Sequence, residues 1–297
     1  MFVLGKLAER FPHVVKEIQA DGHEVACHGY GHVEIAQQSP DEFLTDIRRA
    51  KDLLEQITGE RVTGYRAPDF SIVRSTLWAF DALAEAGFEY DSSVMPVRHP
   101  RYGIPDWPVL PVRVNLGRGN SILEAPLATF RALGRNWPVG GGRIPSSAAG
   151  IREPIFRTAR DECCPFVFYC HPYEFDVQEL RRSRSVSHFT VRLHQGAGRR
   201  WFEQRFRSFV SCFGGQPVHD MLSSQQWSEF HLHSFASRNP PQNRGHIPRS
   251  LVSSVTNRKR AIRRDECGSF SLHIPTEGRP RSWRLVLQKG CESCRTH

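Results

Sequence analysis

The stretch that decides the fold runs from residue 23 to residue 70 and reads HEVACHGYGHVEIAQQSPDEFLTDIRRAKDLLEQITGERVTGYRAPDF. A short apolar run opens it, a loop rich in His and Gly follows, and an amphipathic segment leads to a second apolar run. Ser39, Pro40 and Glu42 make a capping box with proline in the first turn, and Gly59 ends the helical periodicity. The pattern predicts a strand, a helix over residues 40–58 and a strand over residues 62–65.

The same alternation continues along the chain. A helix is predicted from about Ser75 to Ala86, where Gly87 closes it, and a strand over residues 88–90. The continuous apolar run 165–170 is typical of a strand buried on both faces. Strands that alternate with helices indicate a parallel α/β fold.

Composition limits the class of protein. The chain has 297 residues, of which 39% are hydrophobic, so it can bury one large core or one core with an appendage. No apolar stretch approaches the roughly 20 residues of a membrane helix, and the N-terminus lacks the apolar core of a secretory signal. We therefore predict no membrane span, a cytoplasmic location and reduced cysteines.

The charge is distributed unevenly. Residues 181–297 hold 21 of the 40 Lys and Arg residues but only 7 of the 31 Asp and Glu residues. A basic amphipathic helix is predicted over residues 198–210, and the sequence beyond it lacks periodicity. We predict a domain over residues 1–215 and a basic, poorly ordered tail over residues 216–297. The tail would suit nucleic-acid binding, but a segment never selected to fold is favoured because so few of its basic residues are Lys.

Polar side chains follow the predicted strands at their carboxyl ends. His28, Arg66, Asp91 and His171 each end or follow such a strand, and His32 lies four residues after His28. The loops after parallel strands converge on one face of an α/β barrel, where active sites form. We expect these residues to lie on one rim.

Each of these residues also has a structural interpretation. A pair of His residues four apart is common and holds zinc only with a further ligand. Arg66 could brace a turn, Asp91 could cap a helix, and His171 could simply end a strand. Their occurrence together favours a functional site.

Five motifs in order support a resemblance to a known family. They are HGYGH (28–32), YRAPDFS (65–71), YDSS (90–93), EAPLATFRALGRNWPVGGG (124–142) and FYCHPYEFD (168–176). Over residues 2–176 the chain resembles the polysaccharide deacetylase family, the NodB homology domain, and in particular members linked to exopolysaccharide synthesis. The resemblance implies a distorted (β/α) barrel and metal-dependent removal of acetyl groups from N-acetylated oligo- or polysaccharides.

The resemblance also implies roles for individual residues. His28 and His32 resemble the imidazole ligands of a divalent metal, usually zinc. His171 resembles the general acid that protonates the leaving amine. Arg66 resembles the arginine that orients the catalytic base, and Asp91 is expected to orient His171. The backbone N–H near Asp69 is expected to help hold the oxyanion, completing the implied site.

One family feature has no counterpart in this sequence. Family members begin with a strand that carries an Asp motif, which supplies the base and the third metal ligand, whereas MFVLGKLAERFP resembles their second strand and helix. We therefore expect a barrel incomplete at its N-terminus, an incomplete metal site and a poor deacetylase. The alternatives are a carbohydrate-binding pseudoenzyme and a nucleic-acid binder that acts through the basic tail.

Overall fold

The computed structural model describes residues 1–117, 119–140, 165–176 and 201–238. A seven-stranded sheet has the order β1-β2-β3-β4-β6-β5-β9, and β7 pairs with β8 in a separate hairpin. Strands β1 to β4 and β6 are parallel, whereas β5 runs antiparallel to β6. The strands are β1 (Phe2–Val3), β2 (Ala26–Cys27), β3 (Gly64–Tyr65), β4 (Tyr90–Asp91), β5 (Val112–Gly117), β6 (Asn120–Glu124), β7 (Thr129–Ala132), β8 (Arg135–Pro138) and β9 (Glu229–His231).

Helices follow most of the parallel strands. In the described residues they are α1 (Gly5–Arg10), α2 (Pro12–Ala20), α3 (Pro40–Thr58), α4 (Ala79–Glu85), α5 (Phe202–Phe213), α6 (Val218–Ser223) and α7 (Leu232–Arg238). None of them combines the length and the apolar character that a bilayer crossing requires. The predicted parallel α/β class is therefore confirmed for the described part of the chain.

Helix α3 follows the sequence prediction closely. Ser39 accepts a hydrogen bond from the Glu42 backbone, the Glu42 carboxylate accepts one from the Ser39 backbone, and Gly59 ends the helix with φ +71°. Phe43 and Ile47 on its inner face are fully buried. Local sequence signals therefore define this helix at both ends.

The second predicted helix is shorter than expected. A 3₁₀ turn (Arg74–Thr76) precedes α4, which covers only Ala79–Glu85. The Thr76 hydroxyl accepts a hydrogen bond from the Val73 N–H and donates to the Ser71 carbonyl. These local bonds compete with the α-helical pattern over the first turn.

The apolar run at residues 165–170 does not form a regular strand. It is held by two isolated parallel bridges, Leu127 with Val167 and Gly140 with Tyr169. Phe168 packs against Phe209 of α5, with ring centroids 4.7 Å apart. Val167 is buried and the other residues of the run are half-buried, so the run lies partly in the core beside α5.

The predicted tail boundary at residue 216 is wrong for residues 216–238. Strand β9 pairs in parallel with β5, and Phe230 and Phe235 pack their rings 4.5 Å and 5.4 Å from that of the buried Trp107. These residues therefore belong to the core, because an aromatic cluster and an edge strand hold them there. Residues 239–297, and the first three residues of the predicted basic helix, lie outside the described residues.

Candidate active site

The carboxyl ends of β2, β3 and β4 meet at one edge of the sheet. Cys27 pairs with Tyr65, and Tyr65 pairs with Asp91, so the residues that follow them are neighbours. His28 donates its backbone N–H to the Val3 carbonyl, and Arg66 donates its own to the Cys27 carbonyl. Strand register thus brings His28 and Arg66 together, as the sequence predicts.

The ring of His28 is oriented by the backbone of the neighbouring strand. Its Nδ1 lies 2.7 Å from the Arg66 carbonyl oxygen. Because a carbonyl oxygen only accepts, Nδ1 must carry the hydrogen, which leaves the lone pair of Nε2 available. Burial is the largest cause that lowers the pKa of His28 to about 4, and the charges of His32, Arg66 and His171 add to it. The neutral imidazole is the form that binds a metal.

His32 returns to His28 through a sharp turn. Gly29 has φ +75° and His32 itself has φ +56°, so the loop reverses within a few residues. The two imidazole centroids are 5.3 Å apart. Two imidazoles that ligate one zinc ion at 2.0–2.1 Å in tetrahedral geometry would have centroids about 5 Å apart. The separation of the two rings matches this distance, and the described residues bring no third His, Cys, Asp or Glu side chain to the pair.

Cys27 is not positioned as a replacement ligand. Its side chain is fully buried in the core, on the face of β2 opposite to that of its neighbour His28. Burial raises the pKa of the Cys27 thiol to about 12. The thiol therefore behaves as a small apolar core group.

Arg66 is a buried cation with defined partners. Its Nε donates to the Ser92 carbonyl at 2.7 Å and its guanidinium donates to the Ser92 hydroxyl at 2.7 Å. The guanidinium carbon lies 4.0 Å from the centroid of the Phe2 ring. Burial lowers the pKa of Arg66 to about 10, so it remains protonated at neutral pH. The Arg66 side chain therefore supports the loop after β4.

Asp91 faces another carboxyl group. It is fully buried, it is paired in register with Glu124 of β6, and it accepts hydrogen bonds from the hydroxyl and the N–H of Ser93. Burial raises the pKa of both carboxyl groups, and the charge of Asp91 raises that of Glu124 further. We infer that Glu124 keeps its proton and shares it with Asp91, whose charge the Arg66 guanidinium offsets.

The carboxylate beside His171 belongs to Glu174. Its Oε1 lies 3.9 Å from His171 Nδ1, and its Oε2 accepts the His171 N–H at 2.8 Å. The half-exposed His171 ring stacks on Tyr173, with centroids 4.9 Å apart. The described contacts of Asp91 do not include His171, because Asp91 lies within the sheet among Ser93 and Glu124. The position of Glu174 therefore suits the orienting role predicted for Asp91.

The loop after β3 has an unusual backbone. Asp69 and Phe70 have φ +54° and φ +53°, a left-handed conformation that is costly outside glycine. Arg101 lies 3.5 Å from the Asp69 carboxylate, and the Phe70 ring packs 4.9 Å from that of Tyr169. These contacts hold Asp69 at the rim, and its predicted oxyanion role stays a prediction.

Three buried or half-buried groups were not singled out from the sequence. Ser93, Glu124 and Glu174 all contact predicted site residues. A signal existed for Glu124, because a carboxylate that ends the run NSILE on a buried strand is rarely left without a partner. The other two sit inside the YDSS and HPYE motifs next to the predicted residues.

The chain is similar in sequence to two families of known proteins. Residues 1–90 match the family model described as polysaccharide deacetylase, and residues 92–223 match a domain of unknown function, DUF3473. Over 93 residues the chain is 36% identical to the peptidoglycan deacetylase-like protein FGM2 of Gibberella zeae. This alignment covers 31% of the present chain and 27% of FGM2. It is 38% identical over 100 residues to a peptidoglycan deacetylase of Helicobacter pylori, covering 32% of this chain and 31% of that protein.

A solved structure from Mycobacterium smegmatis, with a provisional polysaccharide deacetylase designation, is also similar. The two sequences are 22% identical. The superposition covers 82% of the present chain and 71% of the Mycobacterium smegmatis chain, with a TM-score of 0.44. Residues 1–90 thus match the polysaccharide deacetylase family that the motifs resemble. The matched segment spans less than a third of the length of the two curated relatives named above.

Proposed function

We propose that the protein removes acetyl groups from N-acetylated glycans and that His28 and His32 hold the divalent metal of this reaction. The observation that carries the proposal is the hydrogen bond from His28 Nδ1 to the Arg66 carbonyl, with the His32 ring 5.3 Å away. Metal-ligating His residues almost always donate their second nitrogen in this way. Relatives named as peptidoglycan and chitooligosaccharide deacetylases support the substrate class.

The chain's own residues would bind and protonate the substrate. A bound divalent metal supplies a polarised acetamide carbonyl and a water of lowered pKa. The half-exposed His171 would serve as the proton donor to the leaving amine, and Glu174, whose Oε1 lies 3.9 Å from His171 Nδ1, would orient its ring. The aromatic rings near His171, among them Tyr173, offer apolar faces to a sugar. Exopolysaccharide is the proposed polymer, following the motif resemblance.

We further propose that the described residues form an impaired site by themselves. Catalytic zinc sites usually have three protein ligands, and the described part of the chain brings two imidazoles together. The reaction would also need an accessible carboxylate as a proton acceptor, and Asp91 and Glu124 are fully buried. Loss of general acid-base assistance alone costs roughly 10²–10⁴ in rate, so turnover should be low.

Acetate release tests the proposal. The chain is incubated with zinc or cobalt and with N-acetylated chitooligosaccharide, peptidoglycan fragments or N-acetylated exopolysaccharide. We expect low, metal-dependent release that His32→Gln abolishes and that the exposed His13→Gln leaves unchanged. Release that persists in His32→Gln at the rate of His13→Gln would overturn the assignment of the metal ligand.

A second version of the chain tests the impairment. It is extended at its N-terminus by a family-like strand that carries the Asp motif. We expect its metal-dependent acetate release to exceed that of the present sequence by orders of magnitude, because the added Asp motif would supply a base and a third ligand. Equal release from both versions would show that another group supplies the base. Glycan binding without acetate release from either version would favour the carbohydrate-binding alternative.

A further inference from the structure

A chain of buried hydrogen bonds leads from His28 to Asp91 through a single peptide group. The Arg66 carbonyl accepts the His28 Nδ1 hydrogen at 2.7 Å. On the other side of the same peptide, the Ala67 N–H donates to the Ser93 hydroxyl at 2.7 Å. The Ser93 hydroxyl in turn donates to Asp91 Oδ1 at 2.5 Å. Four groups are thus connected without a gap.

The direction of every bond in this chain is fixed by chemistry. The Arg66 carbonyl and the Asp91 carboxylate only accept, so the hydrogens point from His28 toward Asp91 at each step. The Ser93 hydroxyl donates its one hydrogen to Asp91 and accepts the Ala67 N–H with a lone pair. The direction of these two hydrogen bonds therefore cannot reverse. Hydrogen bonds aligned in this way polarise one another in a buried setting.

At the far end of the chain, hydrogen bonds from Ser93 and the charge of Arg66 favour the charged form of Asp91, although burial opposes it. Asp91 accepts two hydrogen bonds from Ser93 and faces Glu124, whose Oε1 accepts the Val94 N–H at 2.9 Å. Glu124 Oε2 is buried and, among the described residues, receives no hydrogen bond from a conventional donor. A proton on that oxygen would satisfy it by donation to Asp91, and Arg66 lies nearby to offset the remaining charge.

We infer that Ser93 is a positioning residue for His28: it transmits the charge of Asp91 through the Arg66–Ala67 peptide and holds the His28 ring with Nε2 free. The inference rests on the proposed function of His28 as a metal ligand. A carboxylate that contacts a ligand histidine directly strengthens the ligand and fixes its tautomer. Here a hydroxyl and a peptide group extend that contact, and the carboxylate stays inside the sheet.

The test compares three variants of the full chain with the native sequence. Ser93→Ala removes the link, and Ser93→Thr restores the hydroxyl. Ser71→Ala is the matched control, because the Ser71 hydroxyl is also buried and accepts a backbone N–H, that of Ile35, without joining the chain from His28 to Asp91.

The first readout is the His28 ring in the metal-free protein, followed by ¹⁵N-edited NMR and assigned with His28→Gln. We expect the native chain, Ser93→Thr and Ser71→Ala to carry the hydrogen on Nδ1, with a slowly exchanging Hδ1 signal. In Ser93→Ala the Hδ1 signal should move upfield and exchange faster. Zinc affinity, the second readout, should fall on the order of tenfold in Ser93→Ala alone.

An unchanged His28 spectrum and an unchanged zinc affinity in Ser93→Ala would overturn the inference. If Ser93→Ala does not fold, Ser93→Cys replaces it, because a thiol keeps the volume and is a weak donor and acceptor. The same spectral shift is expected there, and its absence would overturn the inference equally. Loss of acetate release in His32→Gln together with a native-like His28 spectrum in Ser93→Ala would refute this inference and leave the proposed function intact.

Discussion

Replacement of Arg66 by Met should destabilise the fold strongly. Methionine retains the aliphatic part of the side chain, but the guanidinium contact with the Phe2 ring and two charge-assisted hydrogen bonds to Ser92, each of 2.7 Å, are lost. Such bonds contribute about 1.5–3 kcal/mol each. The substitution also removes the charge of Arg66, which favours the charged form of the buried Asp91. From the two lost hydrogen bonds together we expect the free energy of unfolding to fall by about 3–6 kcal/mol.

Urea unfolding followed by tryptophan fluorescence measures this loss. Arg61→Met is the control, because Arg61 is 74% exposed and its ion pair with Glu89 at 3.2 Å lies on the surface, where such pairs contribute about 1 kcal/mol or less. Burial raises the pKa of Asp91, so the cost of Arg66→Met should decrease as the pH is lowered and Asp91 becomes protonated. A loss equal to that of Arg61→Met would refute the structural role assigned to Arg66.

Three further predictions concern stability. Ser39→Ala should cost about 1 kcal/mol in urea unfolding, because it removes the cap of α3; no change would contradict the capping box. Phe235→Ala should cost about 3–5 kcal/mol by the same assay, and a loss under 1 kcal/mol would mean that residues 229–238 are not part of the core. The raised pKa of Glu124 gives stability that is complete below the ordinary value of 4.5 and is lost as pH rises toward the folded pKa. Glu124→Gln should remove this slope, up to about 1.4 kcal/mol per pH unit, and an identical pH profile would contradict the shared proton.

Features encoded within one helix or one loop could be predicted from the sequence. Helix α3 was predicted at both ends because its cap, its apolar face and its terminal Gly59 are local signals. The rim position of His28 and Arg66 was also predictable, since each follows a parallel strand directly. The first prediction depends on local sequence alone, and the second needs only the general rule that the loops after parallel strands converge on one face.

Features created by distant pairing could not be predicted in the same way. Asp91 meets Glu124 because β4 pairs with β6, while β5, which lies between them in sequence, moves to the other side of β6. Strand β9 has only three residues, with the pattern Glu-Phe-His, and it becomes a strand by pairing with the edge of β5. Such short segments carry little intrinsic signal, because their stability comes from cross-strand contacts.

X-ray absorption at the zinc edge tests most directly the claim that His28 and His32 hold the metal. The chain is loaded with zinc and compared with a His28→Gln, His32→Gln double variant and with His13→Gln as the control. We predict two imidazole ligands at about 2.0–2.1 Å with oxygen completing the shell in the native chain and the control, and no stoichiometric zinc in the double variant. Zinc bound equally by the double variant, or a shell dominated by sulfur at about 2.3 Å, would contradict the assignment.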